Sequence, residues 1–158
     1  LLATQQNSED IASLTLFGFW KDMDVQFPEN PKNPELRKTV NTAKSAASDF
    51  IVPGSISKKA VDTYVKMALE SDPIKVDWKN THEYNSLDPV LISTPTLILQ
   101  GEFDPIGPTA IQAKLFTRLK TADKSWVVIS GGDHAAFMET PRNHFISSFE
   151  AFINRFNE

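Results

Sequence analysis

Residues 96–108 read TLILQGEFDPIGP and decide the fold of this chain. The run 96–101 is short and apolar and follows a proline, which predicts a buried strand that ends in a glycine turn. Pro108 then favours a helix start, because its missing amide hydrogen costs nothing at the first helical position. A second apolar run, 125–130, follows that helix and ends at two glycines. Strand, helix and strand with continuous apolar runs predict a parallel pair that is covered on both faces.

The composition is that of one soluble globular domain of 158 residues, with 41% apolar and 23% charged residues. Sixteen basic against twenty acidic side chains give a net charge of -4, and no basic run is longer than Lys58-Lys59. Nucleic acid and anionic membranes are therefore not expected as partners. The chain has no cysteine, which excludes disulfides, thiolate metal sites and a cysteine nucleophile. It begins with Leu1 and has no leader pattern, so we expect this end to be processed or trimmed.

Residues 1–88 have mostly helical patterns, whereas residues 89–158 alternate strand and helix. Caps and apolar spacing predict three helices in the first part, which begin at Ser8, at Asn33-Pro34 and at Ser57 and end near Asp22 or Asp24, Phe50 and Asp72-Pro73. A terminal helix follows Pro141, with one apolar stripe made of Phe145, Phe149, Phe152 and Phe156. Two parallel strands do not form a stable sheet alone, so we expect the sheet to continue in polypeptide outside this chain.

Polar residues follow each of the two predicted strands. Asp104 comes three residues after Gly101, and His134 follows Gly131-Gly132-Asp133. Loops at the carboxyl ends of adjacent parallel strands line one crevice, which is where ligands bind in such sheets. We therefore expect Asp104 and His134 to be neighbours in space.

These two segments resemble the carboxyl-terminal half of an α/β-hydrolase. That family typically has Thr-Leu-Ile-Leu-x-Gly-x-x-Asp-x-x-x-Pro around the triad acid, which residues 96–108 match. It places the triad histidine in Gly-x-x-His-x-x-x-x-Glu-x-Pro, matched here by Gly131, His134, Glu139 and Pro141. The resemblance implies an α/β fold in which residues 1–88 form a helical cap or lid and residues 89–158 form the last strand-helix-strand-helix of a mostly parallel sheet.

The resemblance also implies a serine-dependent hydrolase, in which His134 is the general base and Asp104 orients it, without metal or organic cofactor. The nucleophile elbow, Gly-x-Ser-x-Gly, is absent, and Ser55 lies in Pro53-Gly54-Ser55-Ile56-Ser57 with no preceding strand. We therefore expect activity only together with an amino-terminal companion segment that carries the nucleophile. The substrate would be a small molecule with an ester, amide, lactone or amino-terminal peptide bond, and an aspartate nucleophile is equally compatible with the residues present.

Several residues have alternative interpretations. Asp133 competes with Asp104 for the acid role, but as the neighbour of His134 it is better explained as a turn former. Glu139 is expected to bond backbone amides of the histidine loop. Phe17 and Trp20 either line an acyl pocket beneath the cap or simply pack the cap onto the core. The alternative function is a non-catalytic relative that binds a small molecule or a protein in the cap crevice.

Overall fold

The computed structural model describes residues 1–29, 37–78 and 80–156. Its strands are β1 (Leu14–Phe17), β2 (Lys38–Val40), β3 (Ile74–Val76), β4 (Thr96–Gly101) and β5 (Lys124–Ile129). Its α-helices are α1 (Leu2–Gln6), α2 (Ala43–Ala46), α3 (Lys58–Ser71), α4 (Thr109–Arg118) and α5 (Arg142–Ile153). Short 3₁₀ turns lie at Ser8–Asp10, Thr81–Ser86, Pro89–Leu91 and Asn154–Phe156.

The main sheet has three parallel strands in the order β1-β4-β5. The central strand β4 is buried along its whole length, because its side chains pack on both faces of the sheet. Leu97 and Leu99 join one apolar cluster with Ile129, Ala136 and Phe152. Ile98 points to the other face, where it joins Ile92, Leu115 and Leu119. The predicted strands at 96–101 and 125–130 and the helix after Pro108 are therefore confirmed.

The sheet differs from the prediction by one strand, because the predicted helix from Ser8 to Asp22 or Asp24 is wrong. After one 3₁₀ turn, residues Leu14–Phe17 form β1 and pair with β4 in the register Leu14 to Thr96. Leu14 and Leu16 pack against one apolar cluster and Phe17 against the other, which is the alternation of a strand. The same apolar run also fits the spacing of a helix, and it forms a strand because it pairs with β4.

The second predicted helix is also largely wrong. Its proposed start at Asn33-Pro34 lies outside the described residues. The stretch Lys38–Val40 is a strand that pairs antiparallel with β3, and only Ala43–Ala46 is helical, capped by the Thr42 side chain. The third helix is confirmed as α3, since the Ser57 hydroxyl accepts the amide of Ala60 and Asp72 ends the helix.

The region between β1 and β4 thus combines α2, α3 and the β2-β3 ribbon rather than helices alone. Strand β1 belongs to the main sheet although it lies within residues 1–88, which we predicted as a cap. The boundary at residue 88 stays a prediction. Within the described ranges, no helix is long and apolar enough to cross a membrane.

Candidate active site

Asp104 lies in the turn that follows the central strand and is 3% exposed. Its backbone amide donates to the carbonyl of Gly101, 3.1 Å away, which closes the turn. Its Oδ1 accepts the amides of Ile106, at 2.8 Å, and of Gly107, at 3.0 Å. These bonds fix the carboxylate and leave Oδ2 available for a further partner.

His134 lies in the loop after β5 and is brought against Asp104. Its Nδ1 is 3.1 Å from Oδ2 and 3.2 Å from Oδ1 of that carboxylate. The side chain of His134 is 29% exposed, whereas that of Asp104 is fully buried. No hydrogen bond to Nε2 occurs in the parts of the chain that the structure describes. The imidazole is therefore held through one nitrogen and open at the other.

The end of β1 forms the floor beneath this imidazole. The ring of Phe17 stacks on that of His134 with a centroid distance of 5.6 Å and an interplanar angle of 14°. The next residue, Gly18, has φ of +60°, and a β-carbon there would overlap Cε1 of His134 and lie 2.8 Å from Nδ1. Glycine is thus required for the imidazole to occupy this position. The sequence patterns did not indicate Gly18, since its role depends on residues 14–17 forming a strand, and the apolar run there also fits a helix.

The contact shifts the pKa of both groups in opposite directions. The hydrogen bond with Asp104 raises the pKa of His134, against the opposing effect of burial, and the nearby charges of Asp49 and Asp133 add to the rise. Burial alone would raise the pKa of Asp104, but the bonds from His134, Gly107 and Ile106 outweigh it and hold that pKa below its ordinary value. The carboxylate therefore stays ionised and favours a proton on Nδ1 of His134.

Asp133 and Glu139 are both fully buried in the histidine loop. Asp133 accepts the amide of Ala135 at 2.8 Å, as a turn former does. It also accepts amides of the segment before α3, which the sequence did not reveal. Glu139 accepts the amide of Asp133 at 2.8 Å, so the predicted bond to the histidine loop is confirmed. Ser55 does not resemble a nucleophile, since its hydroxyl contacts Glu139 and the Val52 carbonyl.

Trp20 lies apart from Phe17, in an aromatic cluster with Phe27, Trp78 and Tyr84 at ring centroid distances of 5.1 to 5.6 Å. An open apolar groove of about 410 Å³ lies beside it, lined by Trp20, Phe27, Trp78, Thr81 and Ile106. Ile106 belongs to the turn that donates to Asp104, so the groove begins next to the acid. The structure thus places one of the two predicted substrate residues in a groove and the other under the imidazole.

No group of three or more potential ligands that could hold a metal ion occurs among the residues that the structure describes. His144 is exposed on α5. His82 is half-buried in the turn Thr81–Ser86. The Asp104–His134 pair lies in the loops that follow β4 and β5.

The arrangement of strands and loops is that of solved α/β-hydrolases. A serine hydrolase involved in carbazole degradation has a TM-score of 0.61 at 16% identity, over 96% of this chain and 57% of its own. A thermophilic esterase has a TM-score of 0.60 at 19% identity, over 97% and 60%. The monoacylglycerol lipase of Paleococcus ferrophilus has 0.59 at 17% identity, over 96% and 62%. This chain is therefore similar to these hydrolases in fold and spans about three fifths of their length.

A family model described as serine aminopeptidase, S33, matches residues 35–141, and the chain belongs to that family of α/β-hydrolases. No protein with a curated description matches the chain significantly. The predicted α/β-hydrolase resemblance is confirmed, and the chain is a partial form of that fold.

Proposed function

We propose that this chain supplies the acid and the histidine of a serine-hydrolase triad that cleaves an ester, amide or related bond. The single observation that carries the proposal is the contact of Nδ1 of His134 with Asp104, 3.1 Å away, on a partly exposed imidazole. Membership of the serine aminopeptidase family supports it. A non-catalytic binding crevice has no need for an oriented imidazole of this kind.

In this mechanism His134 acts as the general base. Asp104 keeps the proton on Nδ1, so Nε2 carries the lone pair and faces the reacting groups. Nε2 takes the proton of the nucleophilic serine and later gives it to the leaving group. Asp104 stabilises the imidazolium that forms between these steps.

The nucleophile comes, in this proposal, from an amino-terminal companion segment, either in the same polypeptide or in another chain. The sequence has no Gly-x-Ser-x-Gly. The order β1-β4-β5 leaves the outer edge of β1 without a neighbouring strand among the described residues. A parallel strand added at that edge would end beside Phe17 and Gly18, which lie against His134. We call the assembly of this chain with that segment the complete protein.

Hydrolysis by the complete protein tests the proposal. We expect turnover of p-nitrophenyl acyl esters or of aminoacyl p-nitroanilides that depends on both Asp104 and His134. Turnover that persists after both are replaced would overturn it, and binding without turnover would favour the crevice-binding alternative.

The rate is expected to rise with pH through one ionisation with a pKa above the ordinary imidazole value of about 6.5. His134 accepts a proton only when it is neutral, and its contact with Asp104 raises its pKa. Activity should therefore be low below this pKa and reach a plateau above it. A profile of kcat/KM between about pH 5 and 9 checks this, with His144→Gln as the control. A flat profile across that range would contradict the role of His134.

Replacing Trp20 with alanine is expected to change which acyl chains are preferred. The groove beside Trp20 begins at the acid turn and has an apolar lining. Each methylene that loses its contact costs about 0.8 kcal/mol, or roughly fourfold in kcat/KM. The preference for octanoyl over acetyl esters should therefore fall by at least about tenfold.

We expect Phe17→Ala to change the ranking of acyl chain lengths as well, because the sequence predicts that Phe17 contacts the substrate. Trp126→Phe is the control, because Trp126 lies in β5, packs on Phe116 and bonds Gln100. Loss of thermal stability with an unchanged ranking would assign Trp20 and Phe17 to packing alone.

A further inference from the structure

Two segments on either side of the candidate site are joined by buried polar contacts. We call residues 131–140 the histidine loop and residues 50–55 the anchor segment. Oδ2 of Asp133 accepts the amides of Ile51, at 2.6 Å, and of Val52, at 3.1 Å. Its other oxygen accepts the amide of Ala135, within the histidine loop. The buried carboxylate of Asp133, the residue before His134, thus binds both the amide of the residue after His134 and the anchor segment.

A second set of contacts lies at the other end of the histidine loop. Oε1 of Glu139 contacts the hydroxyl of Ser55, while Oε2 accepts the amide of Asp133. The amide and hydroxyl of Thr140 both donate to the Ser55 carbonyl, at 2.7 and 2.8 Å. The loop is therefore attached to the anchor segment before and after His134.

These contacts use two fully buried carboxylates, which are costly to place in a protein interior unless their oxygens are hydrogen-bonded. Asp133 and Glu139 make no ion pair with lysine or arginine within the described ranges. All four of their oxygens have partners, which are four backbone amides from the anchor segment and the histidine loop and one hydroxyl. Such a network fixes one loop conformation, because removal of one member leaves another buried group unsatisfied.

We propose that the anchor segment positions His134, with Ser55, Asp133 and Glu139 as positioning residues that keep Nδ1 of His134 at Asp104. The proposal rests on the proposed function for its effect on turnover but not for its effect on the imidazole. The anchor segment leads directly into α3, which Ser57 caps. The anchor segment therefore connects the start of α3 to the histidine loop.

The test uses Ser55→Ala and Glu139→Ala in the complete protein, because neither change removes a charge that faces His134. The charged groups that face its imidazole are Asp104, Asp49 and Asp133, and all three remain. The pKa of His134 is measured by NMR titration of the ring signals, assigned with a His134→Gln variant. Turnover is measured in the same samples.

We expect both variants to lower the pKa of His134 toward its ordinary value, because a displaced loop weakens the bond to Asp104. We expect kcat to fall about tenfold to a hundredfold with KM unchanged, as for a displacement of about 1 Å. Glu139→Gln should restore both values, since its amide can still accept from Asp133 and donate to Ser55. The double variant should be far from additive, because the two side chains share one contact.

Asn41→Ala is the matched control. Asn41 is buried and donates to the Asp72 carbonyl at 3.0 Å, at the end of α3 opposite to the anchor segment, and among the described residues it has no hydrogen bond to the histidine loop. This variant should be less stable than the parent protein but should keep the parental pKa of His134 and the parental kcat. If Ser55→Ala and Glu139→Ala behave as Asn41→Ala does, the positioning role is wrong.

The outcomes separate this inference from the proposed function. An unchanged pKa of His134 in both variants overturns the inference, whether or not the protein has hydrolase activity. A lowered pKa without any His134-dependent turnover supports the inference and overturns the proposed function. If the alanine variants fail to fold, Ser55→Cys decides, because its thiol fills a similar space but is only a weak hydrogen-bond donor to Glu139. The parental pKa of His134 and the parental kcat in this variant would contradict the positioning role.

Discussion

Replacing His134 with alanine in the complete protein is expected to lower kcat by about a millionfold, the loss found when the base of a comparable triad is removed. Without the imidazole, no described group takes the proton of the nucleophile. The partly exposed ring is not a member of the apolar clusters, so the fold should persist. Single-turnover kinetics and a thermal unfolding curve measure the two effects.

His144→Ala is the matched control, because His144 is exposed on α5 and lies outside the site. It should leave kcat at the parental value. A His134→Ala protein that keeps its kcat on every substrate tested would remove the hydrolase interpretation.

Replacing Asp104 with asparagine is expected to lower kcat by about ten thousandfold, as in the serine-protease template. The asparagine oxygen can still accept the hydrogen bonds from the amides of Ile106 and Gly107. Its NH₂ group would then face Nδ1 of His134 and place the ring proton on Nε2, where it blocks proton uptake. The change therefore removes the correct tautomer while the turn remains intact.

Asp133→Asn tests whether the right acid has been assigned. We expect a loss of about a hundredfold at most, through displacement of the histidine loop, which is far smaller than the loss for Asp104→Asn. The comparison is made at one pH on the plateau of the parental profile. An essential Asp133 together with a dispensable Asp104 would show that the triad assignment is wrong.

The sequence revealed the loops of the site because their signals are local. A buried strand ending in glycine, followed by Asp104 or by His134, is contained within a dozen residues, and adjacent parallel strands place both loops at one edge. The contact at 3.1 Å needed no further information than that topology. Helix α3 was equally local, since Ser57 and Asp72 mark its ends.

The sequence did not reveal β1, because its conformation depends on a partner about eighty residues away. Leu14–Phe17 alternates between two apolar clusters, but this can be seen only once β4 lies beside it. With β1 missed, Gly18 and the stacking of Phe17 on His134 were missed as well. Local sequence patterns therefore could not predict which residues lie beneath the imidazole of His134.

Side-chain burial was also only partly predictable. The spacing of four phenylalanines, three on α5 and Phe156 in the 3₁₀ turn after it, predicts one apolar stripe, and Phe152 is indeed buried, with Phe145 and Phe156 packed against the same cluster. Phe149 is 37% exposed. Helical spacing places residues on one face, whereas burial depends on what packs against each of them.

The most direct test of the central claim is labelling of the complete protein with a fluorophosphonate, which reacts with an activated serine, followed by mass spectrometry. The account predicts one labelled serine outside residues 1–158, modified rapidly in the parent and at least about a thousandfold more slowly in His134→Ala. A label on Ser55 or another serine of this chain would contradict it. So would labelling at the parental rate without His134, or no labelling of the parent at all.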